Sequence, residues 1–522
     1  MPERAIPLDQ SQSSTKELFA RELKDKIFQS HSEEIIIGVC GPIGTDIHSI
    51  VTEIGNVIEE KFDYEIIIIR LSEFIKDHKK IKEEDFETKY LYINSLIDKG
   101  NELRKEKGSA ILAELAIGKI AVQREKQRAL ASGEYKSHRT CFIIDSIKNP
   151  DELDTFRLIY SDLFYFIGVF SNINIREKYL EKSGVSKYDI LKLIDRDSGE
   201  EINNGQKVND TFIQADFFLR NDELTSAAIR NKIERYLNLI FNSEIITPTS
   251  DETSMYQAFA AAGNSACLSR QVGASITNKN GEIISIGWND VPKFLGGVYK
   301  SSDIDPLGEN DKRCLNIDGG ICFNDQEKNI ISNLLLEDLI REKIIDPAHK
   351  LLATSVIKKS RIKELIEFSR AVHAEMHAII IGGQSNGNDM VGGKLYCTTY
   401  PCHNCARHIV AAGIKDVYYI EPYRKSLALK LHDDSISENE NDDGKKMRVL
   451  MFDGVAPRRY LEFFKMLPNS RKAEGKKKKI NKKEVYPKSR VSLQAIPILE
   501  KYVVEDLKIK NLIKTSDNEQ QE

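Results

Sequence analysis

A His373-Ala374-Glu375 tripeptide, followed 29 residues after its histidine by Pro401-Cys402-His403-Asn404-Cys405, constrains this chain more than any other feature. His373, Cys402 and Cys405 offer one imidazole and two thiolates, a donor set that suits Zn2+ and leaves one tetrahedral position for water. Any fold the chain adopts has to bring these distant residues together. Glu375 stands two residues from the first ligand, so it can reach that water without occupying the metal. Zinc lowers the pKa of its water towards neutrality, and a neighbouring carboxylate can take the proton and pass it on. The competing reading is a closed zinc knuckle. It needs a fourth Cys or His close by and leaves Glu375 without a task.

Length and composition bound the setting. A chain of 522 residues allows roughly two to four domains, each with its own core. A formal net charge of −4 demands no nucleic-acid partner. No run reaches the length of a membrane span, and the first residues lack the apolar core of a secretory signal. A cytoplasmic protein with no membrane partner is expected. Eight cysteines in so long a chain do not suggest a disulfide framework. Cys402 and Cys405 are the only pair at metal-ligand spacing. Cys40, Cys141, Cys267 and Cys397 read as packing residues. Cys314 and Cys322 lie in a polar segment where a second metal site would lack obvious third and fourth ligands.

Alternating patterns give the organisation. Residues 1–29 read as a polar arm. Over 30–245, Glu34–Gly41, Tyr64–Arg70, Cys141–Asp145 and Leu163–Phe170 read as strands, Ile66–Ile69 being the size of a buried one. Helical stretches at 45–60 and 88–130 separate them, so the fold class is α/β: a parallel sheet with helices on both faces. A composition change at 243–254 reads as a linker into a second region, 250–467. There a helix at 255–269 precedes strands 273–277 and 283–287, joined by Asn280-Gly281, a strong hairpin signal. Residues 290–365 form an insertion with an amphipathic helix at 329–343. A helix at 366–381 carries His373 and Glu375; strand 393–398, helix 402–412 and strand 417–420 follow. Residues 468–522 hold a lysine-rich stretch (472–490), then an apolar-periodic segment (491–512) expected to dock on the body.

Residues 254–465 resemble the deoxycytidylate deaminase branch of the cytidine deaminase superfamily. The resemblance rests on Val272–Ile276 with Ile286-Gly287-Trp288-Asn289, on His373-Ala374-Glu375, on Thr398–Ala406, and on Ala412–Tyr418. It implies a mixed sheet between helices, an α/β/α fold with zinc held at the first turns of two facing helices. It also implies hydrolytic deamination at C4 of cytosine, with Glu375 moving the water's proton to N3 and the leaving ammonia. By the same resemblance Asn289 bonds the sugar hydroxyl, and neighbouring subunits of a homo-oligomer border the site. Where the family commonly has Asn two residues after the glutamate, this chain has His377, read as a packing residue rather than a ligand. His403 and His408 read as helix-surface residues.

Gly38, Gly41, Gly44 and Thr45 follow a strand and open a helix as a P-loop does, and the region resembles nucleoside and nucleotide kinases. Asp145 closes a strand as a Walker-B carboxylate would, Arg176 begins a helix, and Ala215–Leu219 looks like the last strand of such kinases. Yet Thr45 replaces the phosphate-binding lysine, and Asp46 replaces the magnesium-binding hydroxyl, so phosphoryl transfer is not expected. A nucleotide-sensing domain and a purely structural one both stand. A degenerate P-loop unit joined to such a deaminase resembles the bacterial anti-phage deoxycytidine-nucleotide deaminases, which deplete dCTP. That resemblance implies a dCTP or dCMP substrate, with Lys425, Arg458 and Arg459 as phosphate contacts. A small inhibitory RNA on the Lys476–Lys483 run is a further implied partner. Housekeeping dCMP deamination and a non-enzymatic RNA-binding regulator are the alternatives. Editing of nucleic acid is disfavoured by the lack of a sustained basic stripe.

Overall fold

The computed structural model describes residues 31–130, 138–199, 206–222, 225–304, 310–317, 319–423, 426–442, 444–468, 470–489, 491–492 and 495–513. The arm expected over 1–29 lies outside them. The described residues fall into two compact units, Met1–Ile246 with Glu462–Glu522, and Thr247–Leu461. Among them no helix is long and apolar enough to cross a membrane.

The first unit is built on five parallel strands, β1 (Ile35–Cys40), β2 (Glu65–Arg70), β3 (Thr140–Asp145), β4 (Phe164–Phe170) and β5 (Phe217–Arg220), in the order β5-β4-β1-β3-β2. β1 and β3 are buried along their whole length, which is why they read as unbroken apolar runs. β2 departs from expectation. It lies outside β3, Ile68 is exposed and only Ile69 is fully buried, so its four isoleucines do not make a buried strand. The helix α1 (Ile47–Phe62) follows β1, with Asp46 as its N-cap. The helical stretch 88–130 is two helices, Lys89–Lys107 and α2 (Ile111–Leu130), parted at Gly108, whose φ of 114° closes the first. After β4 come Ile173–Lys182, in which Arg176 sits a turn inside, and α3 (Lys187–Gly199). The C-terminal helix Ala495–Ile509 packs on α2.

The second unit carries a mixed six-stranded sheet, in the order β10-β11-β9-β8-β6-β7. Its strands are β6 (Gly273–Thr277), β7 (Ile283–Trp288), β8 (Lys394–Thr399), β9 (Asp416–Glu421), β10 (Ile436–Ser437) and β11 (Met447–Met451). β6 runs antiparallel to β7 and β8; the remaining pairs are parallel. The β6–β7 turn holds as read: Gly281 takes φ 84°, and the Asn278 side chain accepts from the amides of Asn280 and Glu282. Helix α4 (Ser250–Ala262) starts earlier than expected, because Thr249 and Glu252 form a capping box. The insertion holds two helices, α5 (Phe323–Arg341) and α6 (Lys350–Lys359), where the sequence suggested one. α7 (Ala374–Met390) and α8 (His403–Ala411) complete the unit. α7 packs against β7 and β6. A Cβ on Gly287 would stand 2.5 Å from both the Ala374 carbonyl oxygen and the Ala378 nitrogen, so only glycine lets β7 approach this helix so closely.

Candidate active site

The two helix starts set the site. His373, in an extended conformation (φ −70°, ψ 154°), is the N-cap of α7. The helix expected over 366–381 therefore begins at residue 374, and Val372 instead bridges to Asp290. Cys402 is the N-cap of α8, its sulfur accepting the Cys405 amide at 3.4 Å. Both ligand-bearing segments thus stand at the electropositive ends of helices, which favours thiolate. His373 Nδ1 lies 3.4 Å from Cys402 Sγ and 3.3 Å from Cys405 Sγ. The three donor atoms fall within 4.8 Å of one another, the one such group of three or more among the described residues. One nitrogen and two sulfurs at that separation fit a zinc ion.

The electrostatics agree with that donor set. Cys402 is pulled down to about 4, first by the Cys405 thiol that donates to it and then by His373. His373 is pushed up to about 9, chiefly by its hydrogen bond to Cys402. The Cys405 thiol is pushed up by that same bond to Cys402. Without an ion, the site holds its negative charge on Cys402 beside a protonated imidazole, and a cation would take that proton's place. Glu375, 4% exposed, lies in the first turn of α7; burial raises its carboxyl above the usual range.

His373, Glu375 and Cys402 line one cavity of about 500 Å³. Asn289 lines it too, but both ends of its amide are engaged: Oδ1 accepts from the Val272 amide and Nδ2 donates to the Arg270 carbonyl, each at 2.8 Å. It ties the segment before β6 to the end of β7. His377 lies outside the ligand group. It is buried, with Nδ1 on the backbone of Trp288 and its ring edge-on to that indole. His408 is exposed, whereas His403 is half-buried with an enclosed Nδ1, not a surface residue as expected. Of the anticipated phosphate contacts, Lys425 falls outside the described residues, and Arg458 and Arg459 are not among the cavity's lining.

The cations on the cavity wall are Arg270, Lys328 and Lys363, and Tyr400 and Tyr423 also face it. None was picked out from sequence. They come from four separate segments and carry no motif; Lys328 reads as a solvated helix charge. Cys267, Cys314 and Cys322 line a second, smaller cavity, but their sulfurs do not converge as those of the first group do.

In the first unit, Gly38, Gly41, Gly44 and Thr45 occupy the β1–α1 connection. A Cβ on Gly41 would stand 2.6 Å from the Val169 carbonyl, and Gly44 takes φ 83°. The Ile43 amide donates to Asp197 Oδ2 at 2.6 Å, and Asp197 Oδ1 meets Lys148 Nζ at 3.1 Å. The Thr45 hydroxyl is buried without a partner. A carboxylate of the chain itself therefore holds an amide that a phosphate-binding loop would offer to an anion.

The family model of the cytidine and deoxycytidylate deaminase zinc-binding region matches residues 248–421. A deoxycytidylate deaminase of Enterobacteria phage T4 is 30% identical over 183 residues, 33% of this chain and 79% of that protein. Its counterpart from phage T2 is 29% identical over 174 residues, 33% of this chain and 81% of that one. A solved dCMP deaminase of cyanophage S-TIM5, in complex with dCMP and dUMP, is 21% identical over 40% of this chain and 99% of its own, with a TM-score of 0.23; no argument rests on it. The sequence match to the phage enzymes spans the hairpin, the His-Ala-Glu segment and the cysteine pair, and by it the chain belongs to the cytidine and deoxycytidylate deaminase family.

Proposed function

We propose that this protein catalyses zinc-dependent hydrolytic deamination of deoxycytidine nucleotides, dCTP to dUTP and dCMP to dUMP. The observation that carries this reading is a buried glutamate on the same cavity wall as a His/Cys/Cys group. A zinc ion held by His373, Cys402 and Cys405 would supply a water acidic enough to lose its proton near neutral pH. Glu375 takes that proton, delivers it to N3 of the cytosine as oxygen bonds to C4, and then protonates the departing amino group. One water is consumed and one ammonia released. Burial suits Glu375 to this shuttle, because a raised carboxyl pKa lets it hold the proton between the two transfers.

Arg270, Lys328 and Lys363 support a phosphorylated substrate, since three cations on one wall can neutralise the charge of a polyphosphate. In this reading Asn289 positions the Arg270 backbone beside the nucleotide. The names of the phage relatives favour the monophosphate, and housekeeping dCMP deamination is the second reading. The pairing with a P-loop-like unit supports the first, in which depletion of dCTP restrains phage replication. That unit then has a structural or sensing task rather than phosphoryl transfer, because Asp197 already occupies the Ile43 amide.

The test is to incubate zinc-loaded full-length protein with dCTP, dCMP, CTP and a cytosine-containing oligonucleotide and separate the products. The expected result is dUTP from dCTP, with Glu375→Ala retaining its zinc and losing at least about 100-fold in kcat. Lys328→Ala and Lys363→Ala should raise KM for dCTP more than for dCMP. Turnover of dCMP alone would transfer the protein to nucleotide salvage. Product from the oligonucleotide alone would overturn the small-molecule reading.

A further inference from the structure

The insertion in the second unit presents a helical hairpin that its own unit leaves largely uncovered. α5 buries only Ser332 and Leu336 along 19 residues, and α6 buries none. The two helices pack chiefly on each other and on the short turn Arg361–Glu364. Ile330 and Leu334 of α5 stand one turn apart at 42% and 55% exposure; Leu352 and Val356 of α6 do the same at 66% and 62%. Isolated apolar side chains on a surface need no explanation, but two apolar pairs on one projecting hairpin mark an interaction surface.

Charge identifies the occupant. α5 carries Asp325, Glu327, Glu337 and Asp338 against Lys328 and Arg341, whereas α6 carries Lys350, Lys358 and Lys359 and no carboxylate. Glu327, Glu337 and those three lysines have no ion-pair partner among the described residues. The acidic helix has one cluster near its start and another near its end. The basic helix has one lysine at its start and two at its end. At 1.5 Å per residue, Glu327 and Glu337 are about 15 Å apart, and Lys350 and Lys358 about 12 Å apart. Because the helices of a hairpin run in opposite directions, Glu337 lies towards the tip and Lys358 towards the base.

We infer that the α5–α6 hairpin binds the same hairpin of a second copy of this chain, tip to base about a twofold axis. In that arrangement Glu337 and Asp338 of one copy meet Lys358 and Lys359 of the other, and Asp325 and Glu327 meet Lys350. The exposed apolar pairs are buried between them. A twofold axis makes every contact twice, which is how a surface complementary to itself closes into a dimer rather than a fibre. Asn324 and Lys328 of α5 also line the catalytic cavity, so this contact would brace one of its walls.

Sedimentation velocity of the full chain tests the inference. The expected mass is two chains or a multiple. Leu334→Glu with Leu352→Glu, both on exposed positions, should halve it while circular dichroism stays unchanged. Charge reversal separates this surface from any other. Chains with Glu337→Lys and Asp338→Lys, and chains with Lys358→Glu and Lys359→Glu, should each dissociate alone and re-associate when mixed. A monomeric parent, a doubly substituted chain of unreduced mass, or failure of the mixed charge variants to pair would each overturn the proposal.

Discussion

At the scale of single residues, the catalytic group was legible because its chemistry is written in contiguous motifs. His373 and Glu375 sit in one tripeptide, and Cys402 and Cys405 are three apart, so their spacing alone announces a metal. Groups assembled from separate segments gave no such sign: Arg270, Lys328 and Lys363 meet only through the fold. The same holds for His48 in the first unit. Its Nδ1 stands 2.6 Å from Oδ2 of the buried Asp145, a carboxylate at the end of β3, with Arg70 Nε 3.5 Å from the same oxygen. The hydrogen bond to Asp145 raises the imidazole pKa; burial and Arg70 oppose the shift, and Asp46 adds to it. A raised folded pKa contributes stability fully present below the unfolded value of about 6.5 and lost as pH rises through the folded value. The melting temperature should therefore fall across that window in the parent protein, and His48→Gln should flatten the fall. Calorimetric profiles of the two proteins that stay parallel from acid to mildly alkaline pH would refute this assignment.

At the scale of elements, periodicity located strands and helices but not their ends. The start of α7 was misplaced by eight residues because its N-cap is a histidine, not the Ser, Thr, Asp or Asn that marks a helix start in sequence. That misplacement hid the reason His373 faces the cysteines: it stands at the end of the helix, not within it. A sequence also cannot show which glycine is there for another element's sake. Gly287 is such a case, since its missing side chain is what admits the backbone of α7. Gly287→Ala places a methyl group against backbone atoms that cannot turn aside. β7 and α7 must then separate, at a cost of about 1–3 kcal/mol. As His373 and Glu375 stand at the start of α7, the substitution should lower kcat as well as the melting temperature, with zinc content following the loss. An alanine variant with parental activity and melting temperature would show that the contact does not set the site.

At the scale of the whole chain, the apolar periodicity of 491–512 was enough to expect docking, but not to say where. The C-terminal helix Ala495–Ile509 lies on α2, and a buried cluster fixes it there. Arg124 of α2 donates to Glu500 Oε2 at 2.9 Å and also bonds Glu34, next to β1. The Tyr160 hydroxyl donates to Glu500 Oε1 at 3.0 Å. Residues 34, 124 and 500 are each at most 5% exposed, and nothing in their local sequence announces that they share a site. One guanidinium between two carboxylates makes the consequences of substitution unequal. Arg124→Met strands two buried negative charges and should cost about 3–5 kcal/mol. Glu500→Gln leaves Arg124 paired with Glu34 and keeps an acceptor for Tyr160. It also removes a carboxyl whose pKa burial has raised, a group that opposes folding once pH passes that raised value. It should therefore cost far less than Arg124→Met at neutral pH. Urea unfolding of both variants decides the matter: equal losses would mean that Glu500, not the arginine, holds the helix in place.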